Sequence, residues 1–254
     1  IAVSDFKAAY DLLSVSDKAK ADPMLLLLGV NLSDGLGLVD ITAFADPTKG
    51  ILYKADGSLR NPADAVAFFV QAGSFITVYN ALTTTQKSKV DPILLLLGVN
   101  LSDGIQQSDL DAFADPTKGI LYNADGTARN AADAMSFFIA VSDFKAAYDG
   151  LSAADKLKVD PMLLLLGVRL SDGLGLTDIT SFADPTKGIL YKADGSLRNP
   201  ADAINFFIQA GSFITVYNAL TAAQKLKVDP VLLLLGVNLS DGIQQSDLDA
   251  FADP

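Results

Sequence analysis

The stretch Asp22-Pro23-Met24-Leu25-Leu26-Leu27-Leu28-Gly29 returns from Asp91, from Asp160 and from Asp229, each time 69 residues further on. Only the residue after the proline changes, among Met, Ile and Val. Phe44-Ala45-Asp46-Pro47 returns with the same step at 113, 182 and 251. Working outward from these anchors, the 254-residue chain reads as three copies of a 69-residue unit and the first 47 residues of a fourth, with no insertion or deletion. A period of this length marks an array in which each unit buries its apolar face against its neighbours. Both ends of the sequence fall inside a unit. That reads as a window on a longer array, with Ile1 as a processed or truncated end.

A second period lies on the first. Units one and three agree at 59 of 69 positions, whereas units one and two agree at 40. Units two and four agree at 42 of the 47 positions that they share. The repeat is therefore a pair, type A then type B, 138 residues long. The expected organisation is repeat A1 at 1–69, B1 at 70–138, A2 at 139–207 and a shortened B2 at 208–254, with a long helix across each junction.

Local signals give the elements of one unit. Asn61-Pro62 is an N-cap followed by Pro at the first helical position. Ala65, Phe68, Ala72, Phe75, Tyr79 and Leu82 then recur at steps of three and four, which predicts one helix of about 20 residues. Gly73 weakens it in one copy, and Ser4 and Ser142 offer alternative helix starts. A short polar helix or turn is expected near Ser16–Ala21. Asp22-Pro23 then reads as the cap of a further helix, whose run Met24–Leu28 is apolar all round and so predicts a fully buried element. Gly29 and the turn Asn31–Gly35 end it. A short helix follows at Asp40–Ala45. Gly50–Tyr53 reads as a strand, and the Asp-Gly pairs at Asp56, Asp125 and Asp194 read as hairpin turns. The expected fold class is mostly α: a solenoid- or fibre-like tandem array of helical units, each with a small β-hairpin.

Composition restricts the chemistry. The chain has no Cys and no His, and all 30 acidic residues are Asp. This excludes disulfides, thiolate metal sites and the commonest general base. Near-identical units without these groups read as a non-enzyme. A net charge of −11 with four Arg argues against a nucleic-acid partner. The apolar runs are far shorter than the ~18 residues a membrane span needs.

Most Asp residues sit before Pro or Gly, where a short side chain bonds the local backbone. One group invites a different reading. Gly29-Val30-Asn31-Leu32-Ser33-Asp34-Gly35, followed by Asp40, resembles the calcium loop of dockerin and EF-hand modules. The resemblance implies a calcium ion held at Asp34 and Asp40, and at Asp103 and Asp109 in the next unit. The sequence departs from that pattern: the spacing from Gly35 to Asp40 is one residue too short, Glu is absent, and Arg169 replaces Asn31 in the third unit. Asn31, Asn100 and Asn238 also match the N-glycosylation acceptor. The aromatics Phe6, Tyr10, Phe68, Phe69, Phe75 and Tyr79 read as packing between neighbouring units.

The A/B difference bears most on function. Type A carries Asp5, Lys7 and Asp11 where type B carries Ser74, Ile76 and Asn80. Ile76, Thr77 and Val78, repeated as Ile214, Thr215 and Val216, form the candidate assembly interface, since an apolar patch marks an association surface. The expected function is a self-associating structural protein, a subunit or segment of an extracellular filament, sheath or surface stalk. The alternative is a calcium-stabilised cell-surface adhesin or ligand-binding repeat module.

Overall fold

The computed structural model describes residues 2–54, 57–123, 127–192 and 194–252. The protein is mostly helical, with twelve α-helices and no strand or sheet among the described residues. Two units divide at Ser136 and Phe137. The first holds α1 (Ala2–Asp11), α2 (Val15–Leu27), α3 (Leu38–Ala45), α4 (Pro62–Ala81), α5 (Thr84–Leu96) and α6 (Gln107–Ala114). The helix α7 (Ala131–Asp149) begins in it. The second holds α8 (Ala153–Leu165), α9 (Leu176–Ala183), α10 (Pro200–Ala219), α11 (Ala222–Leu234) and α12 (Gln245–Ala252).

The start of α2 corrects the sequence reading. Asp22-Pro23 does not open a helix; it lies inside one. The cap is Ser14, whose hydroxyl oxygen accepts from Asp17 N–H at 3.1 Å. Thr83 caps α5 with Gln86 returning the bond to Thr83 N–H, and Ser152 and Thr221 cap α8 and α11. A Ser or Thr cap leaves its side chain free to satisfy the orphan N–H groups of the first turn. Pro23 then interrupts the ladder, because it has no N–H to offer the Ala19 carbonyl. Both residues face solvent, so water can take that carbonyl. Gly29, at φ 81°, closes the helix: its N–H bonds Leu26 O at 2.9 Å and Val30 N–H bonds Leu25 O at 2.8 Å.

The expected hairpin is also corrected. Tyr53 and Leu59 form an isolated antiparallel bridge, as do Tyr191 and Leu197, and no strand extends from either. The cause lies in Ile51 and Leu52. Both are buried although they are consecutive, so the alternation that a strand needs is broken. The turns expected at Asp56 and Asp125 lie outside the described residues. At Asp194 the carboxylate accepts from Ser196 N–H at 2.9 Å.

Asn61 caps α4 through Ala63 N–H at 2.9 Å, with Pro62 at its first position. The stripe Ala65, Phe68, Ala72, Phe75 and Tyr79 is buried. Gly73 has a positive role that its low helix propensity conceals. The Lys20 backbone of α2 passes so close that a Cβ on Gly73 would lie 2.1 Å from Lys20 O. Gly211 on α10 meets Lys158 of α8 in the same way, at 2.5 Å. Only glycine permits such a crossing. Type A units have Ser4 and Ser142 at the matching positions.

Aromatic edges fill the space beside these crossings. Phe6 meets Phe44 with centroids 4.9 Å apart and Phe69 at 6.3 Å, both edge-on. Tyr10 and Tyr79 use their polar ends on the neighbouring helix: their hydroxyls donate to Asp22 Oδ1 at 2.6 Å and Asp91 Oδ1 at 2.8 Å. This is the role of Asp22 and Asp91, and Asp160 and Asp229 accept from Tyr148 and Tyr217 likewise. Burial, then the hydrogen bond and charge of Asp91, push the Tyr79 hydroxyl up to about 12 from 10.0. Tyr10 and Tyr148 are raised for the same reasons, by Asp22 and Asp160.

Two predictions follow from these contacts. Gly73→Ala forces the crossing apart against backbone rather than a flexible side chain, and should cost about 1–3 kcal/mol. That lowers Tm by roughly 2–4 °C per kcal/mol in a chain of this size. Gly150→Ala, whose Cβ would meet ordinary contacts at 3.6 Å, is the control in the same melt. The tyrosines contribute a pH dependence on the alkaline side. A raised folded-state pKa means the folded protein holds the phenol proton more tightly, so stability is full below pH 10 and declines as pH rises toward 12. Tyr79→Phe should cost about 0.5–1.5 kcal/mol at neutral pH. It should also flatten the decline of urea-unfolding free energy above pH 10.

Candidate assembly surface

The leucine run of each anchor stretch is not fully buried. Met24, Leu25 and Leu28 point inward, as do their counterparts Ile93, Leu94 and Leu97. A helix turns 100° per residue, so the two leucines between them face outward. Leu26, Leu95, Leu164 and Leu233 are each 53–57% exposed. Their neighbours Leu27, Leu96 and Leu165 are 40–46% exposed, and Leu234 is 85% exposed. The expectation of a wholly buried helix is therefore corrected. An apolar run carries no polar residue to mark its outer face, which is why periodicity could not divide it. All four copies keep leucine at these eight positions.

Type A adds apolar residues in the turn that follows. Leu36, Leu38, Val39 and Ile41 are exposed in the first unit. Leu36, Leu38 and Val39, with Leu26 and Val30, border an open cleft of about 690 Å³. Type B has Ile105, Gln106, Gln107 and Ser108 over the corresponding stretch.

The patch read from the A/B difference is distributed differently. Ile76, Thr77 and Val78 are consecutive on α4 and splay around it, and only Thr77 is exposed. The Thr77 hydroxyl donates back to Gly73 O at 2.7 Å. On α10, Thr215 bonds Gly211 O likewise at 2.7 Å, and Val216 is open to solvent. Ile214 packs against Tyr217, Leu232, Val237 and Leu239. It also borders a groove of about 320 Å³ with Leu157, Met162 and Ile243.

The acidic candidates are engaged with local partners. Asp40 is buried, and its carboxylate joins two backbone segments: Oδ1 accepts from Asn31 N–H and Oδ2 from Gly37 N–H, both at 2.7 Å. Asp109 holds Asn100 N–H at 2.7 Å and Gln106 N–H at 2.8 Å, and Asp178 and Asp247 repeat the pattern. A calcium ligand would have to turn the same oxygens toward the cation. Asp34 and Asp103 are exposed and accept from the Asn31 and Asn100 side-chain amides at 3.0 Å. Where Arg169 replaces the Asn, its guanidinium stands 3.6 Å from Asp172. Among the described residues no group of three or more acidic side chains is gathered around a common centre.

Asp109→Asn should lose one of the two acceptors and set an amide N–H₂ against a backbone N–H. The expected cost is about 1–3 kcal/mol, read as a lower urea midpoint with unchanged slope. Compared with protein-family models, curated proteins and solved structures, the chain gives no significant match.

Proposed function

We propose that the chain is a structural repeat protein that self-associates, forming a segment of an extracellular filament, sheath or surface stalk. The reading takes the 69-residue units as a tandem array, alternating A and B, whose neighbours bury a continuous core. The observation that carries it is the exposed leucine pair present in all four copies. Exposed apolar groups recurring at a fixed interval suit contacts that are made again and again along an array. The acidic, Cys-free composition suits an outer surface, and calcium or an apolar ligand in the type A cleft would belong to the adhesin alternative.

A net charge of −11 opposes association at low salt, and screening beyond about 8 Å relieves it near physiological ionic strength. The protein should therefore sediment as larger species as salt is raised. Replacing Leu26, Leu95, Leu164 and Leu233 together by Gln should leave it monomeric. Because exposed substitutions change stability by within about 0.5 kcal/mol each, the variant should still melt cooperatively. A wild-type chain that stays monomeric at high concentration and salt would contradict the proposal. A melting temperature that rises on adding calcium would favour the adhesin.

A further inference from the structure

Three rings meet wherever a type A helix is fully packed. Phe6 lies against Phe44 and Phe69, and Phe144 lies against Phe182 at 5.0 Å and Phe207 at 6.4 Å. The third ring always comes from the first turns of the following long helix, α4 or α10. Phe213 meets one ring among the described residues, Phe251 at 5.4 Å. It is 41% exposed, whereas Phe6, Phe75 and Phe144 are 0% exposed. Two positions, one on α11 and one at its C-cap, are open with it. Val231 is 57% exposed against 1–3% for Met24, Ile93 and Met162. Leu235 is 64% exposed against 1–2% for Leu28, Leu97 and Leu166.

One segment supplies what covers these positions elsewhere. In the first unit, Lys49 Nζ donates to Leu28 O at the end of α2, and Phe69 reaches Phe6. Ile51 and Leu52, between them, are buried. We infer that Phe213, Val231 and Leu235 form a docking slot for a further polypeptide segment with the chemistry of residues 48–69. That segment brings a lysine for the carbonyl end of α11, an Ile-Leu pair, and an Asn-Pro-capped helical turn ending in Phe-Phe. A folded second copy has no such segment to give. Ile51, Leu52, Phe69, Ile120, Leu121, Phe138, Ile189, Leu190 and Phe207 are all buried within the chain. The slot adjoins the outward pair Leu233 and Leu234 but is defined by the inward positions Phe213, Val231 and Leu235, and does not depend on the role of the leucine pairs.

The test is complementation in trans. A labelled synthetic peptide of residues 48–69 is titrated into the 254-residue chain. Saturable one-to-one binding is expected, with a raised Tm and slowed amide exchange on α10 and α11. A peptide carrying Phe68→Ser and Phe69→Ser should bind at least tenfold more weakly, and Val231→Asp in the protein should do the same. No saturable binding up to millimolar peptide, or equal binding by the Ser peptide, would overturn the inference. So would concentration-dependent dimerisation of the chain that Val231→Asp abolishes, since a second copy would then occupy the slot. A fusion that appends the sequence of residues 186–207 after Pro254 supplies the segment covalently. It should raise Tm and protect α10 and α11 from exchange, and an unchanged Tm and exchange pattern would overturn the inference as well.

Discussion

A buried carboxylate holds the turn on which the aromatic packing depends. Asp40 and its three counterparts each accept two backbone N–H groups, one from the turn after an α2-type helix and one from the N-terminus of the next short helix. Burying an ion is costly unless its lone pairs are taken up, and here strong N–H donors take up both oxygens. The same bonds fix where the short helix points. Phe44 reaches Phe6 because α3 starts at that angle, and Phe113 reaches Phe75 for the same reason. A shorter side chain would not span the two segments, and an amide would present a donor where an acceptor is required.

What the sequence disclosed was local. Asn61-Pro62 and Gly29 declare themselves because a cap, a fixed φ and a left-handed residue act within a few residues. The helical stripe from Ala65 to Tyr79 was equally legible, since its period is its own evidence. The start of α2 was missed because two cap signals competed. Asp22-Pro23 looks like a cap, but Ser14 with Asp17 lies further upstream, and nothing prevents a helix from running through a proline whose orphaned carbonyl is wet. The strand at Ile51-Leu52 failed because the adjacent apolar residues are both buried in a single bridged turn.

What stayed hidden was non-local. Gly73 lowers helix propensity, and only the Lys20 carbonyl explains its presence. Asp22 has the sequence of a cap and the work of a tyrosine anchor. The outward leucines were concealed by their own uniformity, because four identical side chains in a row give no hint of which two face water. Of the interface residues read from the A/B difference, Thr77, Thr215 and Val216 reach solvent, while Ile214 is drawn into local packing.

The glycine crossing has a consequence for heredity. Duplication readily makes copies of a unit, and unequal exchange readily shuffles them. By composition an A unit and a B unit look interchangeable. They are not, because a B unit brings glycine to the lysine carbonyl of the A unit before it, and a second A unit would bring serine. Two A units in succession would set a serine side chain into space that a backbone already fills. Steric exclusion therefore bars one word order, A directly after A, and the glycine of one unit is matched to the backbone of the unit before it.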